Sequence, residues 1–331
     1  MPARPQLSVL VVTYDHGDEI DACLDGALAQ AGPQLDVDIV VVDNASHDDT
    51  VERVRVRDRV RLVELGSNRG FASGMNVAFA ACEGEHVLIL NPDCVMEPGC
   101  AAALLEHLRS RPQVALAAAL LHDPDGTPQL FARRDLDLRG ALWAFTTLGR
   151  RLDAGVRGGR ARATRRYEEL WADGAPRDPV AVFCPAAACV MAARTDLLPA
   201  PFDERFPLFF NDGDLCARLS RAGGRRAEVV PAARAAHGYG TSVGRAQRSD
   251  PARMRAEWVA SLRCYAARWW GRPARAVLPA LLLADAAVAA ALCVMHREDP
   301  REVRGTLGGL GLPGGPPPLL TPVRRWGRRP A

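Results

Sequence analysis

The stretch HVLILNPDCVMEPG, residues 86–99, decides the fold. His86 to Leu90 is a short apolar run of strand character, and the chain then turns polar at Asn91-Pro92-Asp93. Pro92 fixes its own φ and pushes Asn91 out of the helical region. Glu97-Pro98 predicts the entry to a helix, with proline in its first turn. Asp93 is therefore expected on a stiff corner at the carboxyl end of a core strand. In an open α/β sheet, that edge is where ligands bind.

The same alternation fills the first 120 residues. QLSVLVVTY (6–14) reads as a strand and residues 18–30 as a helix. VDIVVVDNAS (37–46) is a second strand, followed by a helix with Ser46 as its expected N-cap and Asp49 at N3. RVRLVEL (59–65) is a third strand, 71–81 a helix, 98–109 a helix and VALAAALL (114–121) a strand. Short apolar runs separated by helices predict an α/β fold whose parallel sheet is covered on both faces. Residues 132–178 are rich in Arg and Gly with weak periodicity, and read as an insertion beside a binding site. PVAVFCPAAACVMAAR (179–194) returns to strand character. Helices are expected from about Asp212 to Gly223, over 251–270 and over 272–295, with a Gly/Pro-rich linker after Gly305.

Composition narrows the partners. With 331 residues, 48% of them hydrophobic, and a mean hydropathy of −0.08, the chain reads as globular and soluble. All 42 basic residues are arginine. Residues 1–131 carry 9 arginines against 20 acids, whereas residues 245–331 carry 15 against 6. The cationic C-terminal part predicts peripheral contact with an anionic membrane. Aromatics are 6% and no recognition motif is visible, so nucleic acid is not an expected partner. The nine cysteines form no C-x-x-C pair and read as reduced core residues. No basic-then-apolar signal opens the chain, which predicts a cytoplasmic location, peripheral at the inner face of the plasma membrane.

AVLPALLLADAAVAAALCVM (276–295) approaches transmembrane length. Asp285 in its middle would cost about 2.5–3.5 kcal/mol on insertion. A packed or interfacial helix is therefore expected, with Trp258, Trp269, Trp270 and nearby arginines at a membrane surface.

The polar strand ends carry the chemistry. Thr13-Tyr14-Asp15, Asp43-Asn44, Asn68 and Asn91-Pro92-Asp93 should converge on one sheet edge, as in a small-molecule pocket. Neither G-x-x-x-x-G-K-[ST] nor G-x-G-x-x-G after the first strand occurs, which excludes the usual phosphate cradles. Glycines 66, 70 and 74 are expected to permit close approach of a ligand. An acidic strand end suits a hard divalent cation holding a diphosphate, since Mg²⁺ uses one or two carboxylates plus phosphate oxygens. Asp93 is the candidate ligand. His237 is either a second ligand, which would suit Mn²⁺ as well as Mg²⁺, or a structural histidine.

VVVDNASHDDT (40–50), GSNRGFASGMN (66–76), LILNPDCV (88–95) and FDERFPLFFNDGDLCARLSRAG (202–223) with AAHGYGTS (235–242) resemble, in this order, the family 2 glycosyltransferases of the GT-A fold. The rhamnosyltransferase-like branch is the most similar. The resemblance covers about residues 5–245 and implies a mainly parallel, Rossmann-like sheet with helices on both faces, plus C-terminal helices. It implies a nucleotide-sugar-binding half over 1–131 and an acceptor-side half over 132–245. A helical extension over 246–304 and a Gly/Pro/Arg-rich tail over 305–331 follow.

By the same resemblance, Thr13, Tyr14 and Asp43 would bind the nucleotide, and Asn68, Gly70, Phe71 and Asn76 would line the nucleotide-sugar site. Asp93 and His237 would hold Mg²⁺ or Mn²⁺, and Asp212 would be the catalytic carboxylate. The implied activity is inverting, metal-dependent transfer, with L-rhamnose from dTDP-rhamnose as the first expectation for the donor. A glycan, a polyprenyl-linked glycan or a small-molecule natural product would be the acceptor. Asn211 stands where the family has an acid, and Ala200-Pro201-Phe202-Asp203 replaces its Gly-Gly-Phe-Asp, so the acceptor side departs most. A nucleotidyltransferase would need lysines that the chain lacks. A non-catalytic nucleotide-sugar-binding or scaffold protein is the alternative reading.

Overall fold

The structure, a computed structural model, describes residues 5–33, 35–129, 131–147, 149, 168–170, 175–238, 250–296, 299–318 and 320. They fall into two compact units. One is drawn from segments within 1–135, 168–201 and 212–244, the other from segments within 136–167, 202–211 and 245–331.

The first unit is built on a mixed sheet. Strands β1 (Leu7–Thr13), β2 (Val37–Asp43), β3 (Val60–Glu64) and β4 (His86–Leu90) run parallel in the order β3-β2-β1-β4. Every residue of β1 is buried, as expected of a strand covered on both faces. Val9 and Val11 share a core with Ile20 and Leu24 of α1 (Ile20–Leu28) and Leu104 of α4 (Cys100–Ser110). Val12 points the other way by strand alternation and packs against α3 (Phe71–Ala81) at Gly74, where a Cβ would come within 2.8 Å of its Cγ1. Because β1 lies between β2 and β4, the strand order reverses there, and the carboxyl ends at such a switch point are where an open α/β sheet binds ligands.

Beyond β4 the sheet continues through β10 (Cys189–Ala193), β6 (Val114–His122), β11 (Arg226–His237) and β5 (Cys94–Met96), with β9 (Val180–Val182) also on β11. β10 is antiparallel to both β4 and β6, while β6 and β11 are parallel. β5 is a three-residue strand, too short for its periodicity to show in the sequence. It pairs antiparallel with the end of β11, setting Cys94 opposite His237. The register of β11 on β6 shifts between Val230 and Arg234, around Pro231, which has no N–H for a ladder. A separate ribbon joins β7 (Phe131–Arg133) to β8 (Glu168–Leu170).

Three local expectations need correction. Ser46 does not cap a helix: α2 (Thr50–Arg55) starts later, after Asp49, and the Ser46 hydroxyl is bonded to Asp43. Pro98 stands ahead of α4, whose cap is Gly99 at φ +82°. The chain after Gly305 is not a linker at once, because α9 (Arg301–Leu310) continues through it. Gly305 and Gly309 pack on α7 (Pro251–Trp269) so closely that Cβ atoms would lie 2.4 Å from the Ala252 carbonyl and 2.6 Å from that of Ala256. Their glycine content serves helix contact, not flexibility. Much of the expected 132–178 insertion, the segment 239–242 and the tail 321–331 lie outside the described residues.

The second unit packs α5 (Leu138–Phe145), α7, α8 (Gly271–His296) and α9. Phe206, Phe210, Val259, Tyr265, Leu278 and Leu282 form its core. α8 is one helix long and apolar enough to cross a membrane by length and composition, yet Asp285 in its middle is buried in the protein.

Candidate active site

The side on which a nucleotide is expected is a pair of loops stitched together beyond β1 and β2. Thr13 and Asp43 are partners in the β1–β2 register and end their strands side by side, both buried. Asp43 accepts the Ser46 N–H (2.9 Å) on one oxygen and the Ser46 hydroxyl on the other. Each carboxylate oxygen has a second acceptor site, so the fixed carboxylate retains capacity for a ligand hydroxyl or amide. The Ser46 hydroxyl in turn accepts the N–H of Asp15, which adopts φ +56°. Asp48 accepts the N–H of Gly17 (2.8 Å) and that of Thr50 (3.1 Å). Burial works to raise the Asp48 pKa, but donations from the Thr50 hydroxyl and the Gly17 and Thr50 amides outweigh it and hold the carboxyl below its ordinary value.

Tyr14 stands at the mouth with its ring 36% exposed, edge-on to His47 at 5.8 Å. Burial first, then the Asp15 carboxylate, raise the Tyr14 phenol, against a hydrogen bond with Asn68. Asn68, which acts against that rise, is an expected donor residue close to Tyr14 across distant loops. Asn68 also accepts the Gly70 N–H at 2.9 Å, and Asn44 donates to the Gly70 carbonyl at 3.2 Å. Gly70 caps α3 at φ +83°, a left-handed conformation that explains the glycine. The space at Gly74 is filled by Val12 of the sheet, so that glycine serves helix packing where ligand approach was expected. Phe71 and Asn76 lie half-buried along the same helix.

The two residues expected to hold a metal come together where β5 meets β11. Asp93 and His237, 144 positions apart, are brought to 3.5 Å between Oδ1 and Nε2, and the Gly238 N–H donates to the Asp93 carbonyl. The histidine tautomer follows from its neighbour. Gln129 gives its amide NH₂ to Asp123 Oδ1 (2.7 Å) and to the His237 carbonyl (3.0 Å). Its Oε1 therefore faces His237 Nδ1 (3.1 Å), and Nδ1 must carry the proton. In the neutral ring, Nε2 is then a lone pair aimed beside a carboxylate oxygen. Two acceptors so placed suit a cation between them, and an outer partner fixing the ring is what a metal-binding histidine requires. Among the described residues, no cluster of three His, Cys, Asp or Glu forms a complete metal cage.

The third element is Asp212, second residue of α6 (Asn211–Gly223), whose carboxylate pairs with the Arg133 guanidinium and accepts the Gly213 N–H. A carboxylate here also gains from the positive end of the helix dipole. Arg133 is held by a backbone bridge to Cys184, donating to its carbonyl at 2.8 Å. Asp214 is fully buried and paired with Arg218 (3.0 Å), which also donates to the Pro201 carbonyl. That carboxylate anchors the helix. Asn211 is buried as well, and its amide donates to the Leu208 carbonyl at 2.9 Å, a bond an ionised acid could not make.

Gln129, Asp123 and Arg133 escaped the sequence reading: the partners of Gln129 and Arg133 at the site are 108 and 79 positions away, and Asp123 joins only through Gln129. They also tie the site together. Gln129 holds His237, and Arg133, four residues on, holds Asp212, so the two Cα atoms are at most ~14 Å apart. The thiols nearby are not nucleophiles: burial and then the Asp93 charge push Cys23 upward, and a hydrogen bond with Cys216 and burial push Cys184 upward.

Residues 8–165 match the model of the family described as Glycosyl transferase family 2. A relative from Mycobacterium tuberculosis (strain CDC 1551 / Oshkosh), named N-acetylglucosaminyl-diphospho-decaprenol L-rhamnosyltransferase, is 29% identical over 287 residues, 81% of this chain and 88% of the relative. Residues 8–165 thus carry a family 2 glycosyltransferase domain. The glycosyltransferase is also 34% identical over 96 residues to the succinoglycan biosynthesis protein ExoO of Rhizobium meliloti (strain 1021), 28% of this chain and 27% of that one. Among solved structures it is similar to the mannosyltransferase PcManGT from Pyrobaculum calidifontis, in complex with GDP-Man and Mn²⁺. The TM-score is 0.51 at 18% identity, covering 95% of this chain and 88% of that one. At that identity the likeness speaks to the fold, which is GT-A.

Proposed function

We propose that this glycosyltransferase moves L-rhamnose from dTDP-rhamnose to a hydroxyl of a lipid-linked N-acetylglucosamine acceptor, with inversion and with Mg²⁺ or Mn²⁺. The observation that carries the reading is the pairing of Asp93 with the His237 Nε2 lone pair, beside stitched strand-end loops able to hold a nucleotide. The rhamnosyltransferase relative supplies the donor and acceptor classes. A cation held by Asp93 and His237 would neutralise the diphosphate as it leaves. With two protein ligands, such a site is completed by phosphate oxygens and water, as Mg²⁺ prefers.

The chain's own residues supply the rest. Asp212 accepts the proton of the acceptor hydroxyl as that oxygen bonds to the anomeric carbon. The old bond from that carbon to the phosphate oxygen breaks, and its electron pair leaves with dTDP. Asp43, Thr13 and the Tyr14–Asn68 pair position the nucleoside. A lipid-linked acceptor confines the work to a membrane surface, and peripheral contact at its inner face fits the arginine-rich C-terminal part.

The test is transfer itself. Purified protein, dTDP-rhamnose and N-acetylglucosaminyl-diphospho-polyprenol should yield a rhamnosylated lipid, with inverted anomeric configuration by NMR. EDTA should stop the reaction, and Mg²⁺ or Mn²⁺ should restore it. Donor binding without transfer to any acceptor would favour the scaffold reading instead.

A further inference from the structure

Between Arg275 and His296, α8 carries a single charged side chain, Asp285. That residue faces inward with Leu278, Leu282 and Ala286. Its carboxylate accepts the Thr147 N–H at 2.7 Å and lies 3.3 Å from the Thr147 hydroxyl. At 100° per residue, the exposed residues fall on the opposite side. Val277, Leu283, Val288, Val294 and Met295 stand 40–80% exposed, with alanines between them. Only 28% of the helix's apolar stretch is buried. The outer face is thus an uninterrupted apolar stripe along a helix about 39 Å long.

We infer that this stripe is a membrane-docking surface on which α8 lies in the plane of an anionic bilayer without crossing it. Three observations choose the occupant. Arg272 and Arg275 are exposed at the start of the helix, and residues 245–331 carry 15 arginines against 6 acids, which complements anionic headgroups. The inward carboxylate, bonded to Thr147, ties the helix to its own unit and keeps a charge out of the hydrocarbon. The third is that the inner face is already packed in the core of its unit through Leu278 and Leu282, which leaves the outer apolar face to meet a bilayer.

The tryptophans expected at the membrane have other work. Trp270 donates its N–H to the Leu136 carbonyl. Trp258 and Trp269 pack against the core with Arg255 and Arg268 over their rings at 4.9 and 5.1 Å. The surface thus belongs to α8. It deepens the proposed function, whose acceptor is lipid-linked, but rests on separate observations.

The experiment is co-sedimentation of the full chain with phosphatidylcholine vesicles, with and without phosphatidylglycerol. Binding should require the anionic lipid, weaken with salt, and be released by alkaline carbonate. The double variant Leu283→Glu, Val288→Glu should lose about tenfold or more in partitioning at unchanged melting temperature. Val56→Glu, at a position 82% exposed elsewhere, should bind like the parent. Resistance to carbonate would show a spanning helix and overturn the in-plane assignment. Unchanged vesicle binding of the double variant would overturn the surface, and a dimer that this variant dissociates would assign the stripe to a second copy. Transfer to a short-chain, water-soluble acceptor should survive in the double variant. If the parent transfers to no acceptor yet binds vesicles through α8, the proposed function fails and the docking surface stands.

Discussion

Asp93 and Asp212 are two carboxylates of similar burial, 8% and 13% exposed, with opposite neighbours. Asp93 faces a histidine nitrogen whose proton is committed to the other side of the ring. Asp212 faces a guanidinium. The two carboxylates thus meet different partners, an imidazole in one case and a guanidinium in the other. Under the proposed function, the first would serve the leaving group and the second the acceptor.

The largest effect should come from the acceptor side. Asp212→Asn keeps the shape but removes the base, so turnover should fall by about 10²–10⁴ while donor and metal binding stay within about threefold. Stopped-flow binding and product formation, measured on one preparation, check both halves. Near-normal turnover in this variant would send the search for the base elsewhere, and not to Asp214, which is buried against Arg218.

Next in size is the tautomer lock. Gln129→Leu removes the acceptor of the His237 Nδ1 proton without touching either proposed ligand. Mn²⁺ affinity, read by titration calorimetry with dTDP present, should drop by about 10–100-fold. Asp93→Asn should lose at least as much. If Gln129→Leu leaves metal affinity intact while Asp93→Asn abolishes it, His237 is a bystander to the metal.

Much of this comparison was written in the sequence, but unevenly. The strand ends were legible because a covered parallel sheet needs continuous, if short, apolar runs and its carboxyl edge collects polar residues. Thr13, Asp43 and Asp93 are local to such ends. Asp212 was reachable only through resemblance, and the chemistry of a lone histidine left His237 open between ligand and structural residue until the resemblance favoured the ligand. Gln129 and Arg133 were not legible. Each acts through one long-range contact, and nothing in the chemistry of a glutamine or an arginine in a loop announces its partner. The Gly-rich helix α9 was misread for a related reason: glycine signals a linker by composition, whereas here its missing side chain lets two helices touch.

A smaller effect tests the Asp212 pole directly. Arg133→Met should lower kcat about tenfold, the scale of one lost charge-assisted hydrogen bond, with donor KM little changed. Arg133→Lys should recover most of the loss, since charge matters there more than the fork. A rise in donor KM at constant kcat would mean that Arg133 binds the donor and that Asp212 does not depend on it.

Glu257 of α7 supplies the third case, a carboxylate with neither metal nor arginine. It is buried, and its hydrogen-bond partners, the Ser261 hydroxyl (3.4 Å) and the Leu320 N–H (3.2 Å), are both neutral. Burial, against those two bonds, pushes its pKa from 4.5 to about 7. The proton therefore takes the part that a cation plays elsewhere. A carboxyl raised in the folded state contributes stability that is full below its unfolded value, near pH 4.5, and is lost as pH rises through about 7. Glu257→Gln cannot ionise, so the parent should lose stability relative to the variant between pH 5 and pH 8. At 1.36 kcal/mol per pKa unit the difference is at most about 3 kcal/mol, or roughly 2–6 °C in melting temperature for a chain of this size. The amide can accept only one of the two bonds well, which lowers the variant at every pH but leaves the pH dependence of the difference unchanged. Differential scanning fluorimetry of both proteins across that range reads it. Parallel curves would mean that Glu257 is ionised throughout, paired with a cation after all, and the contrast among the three carboxylates would reduce to two.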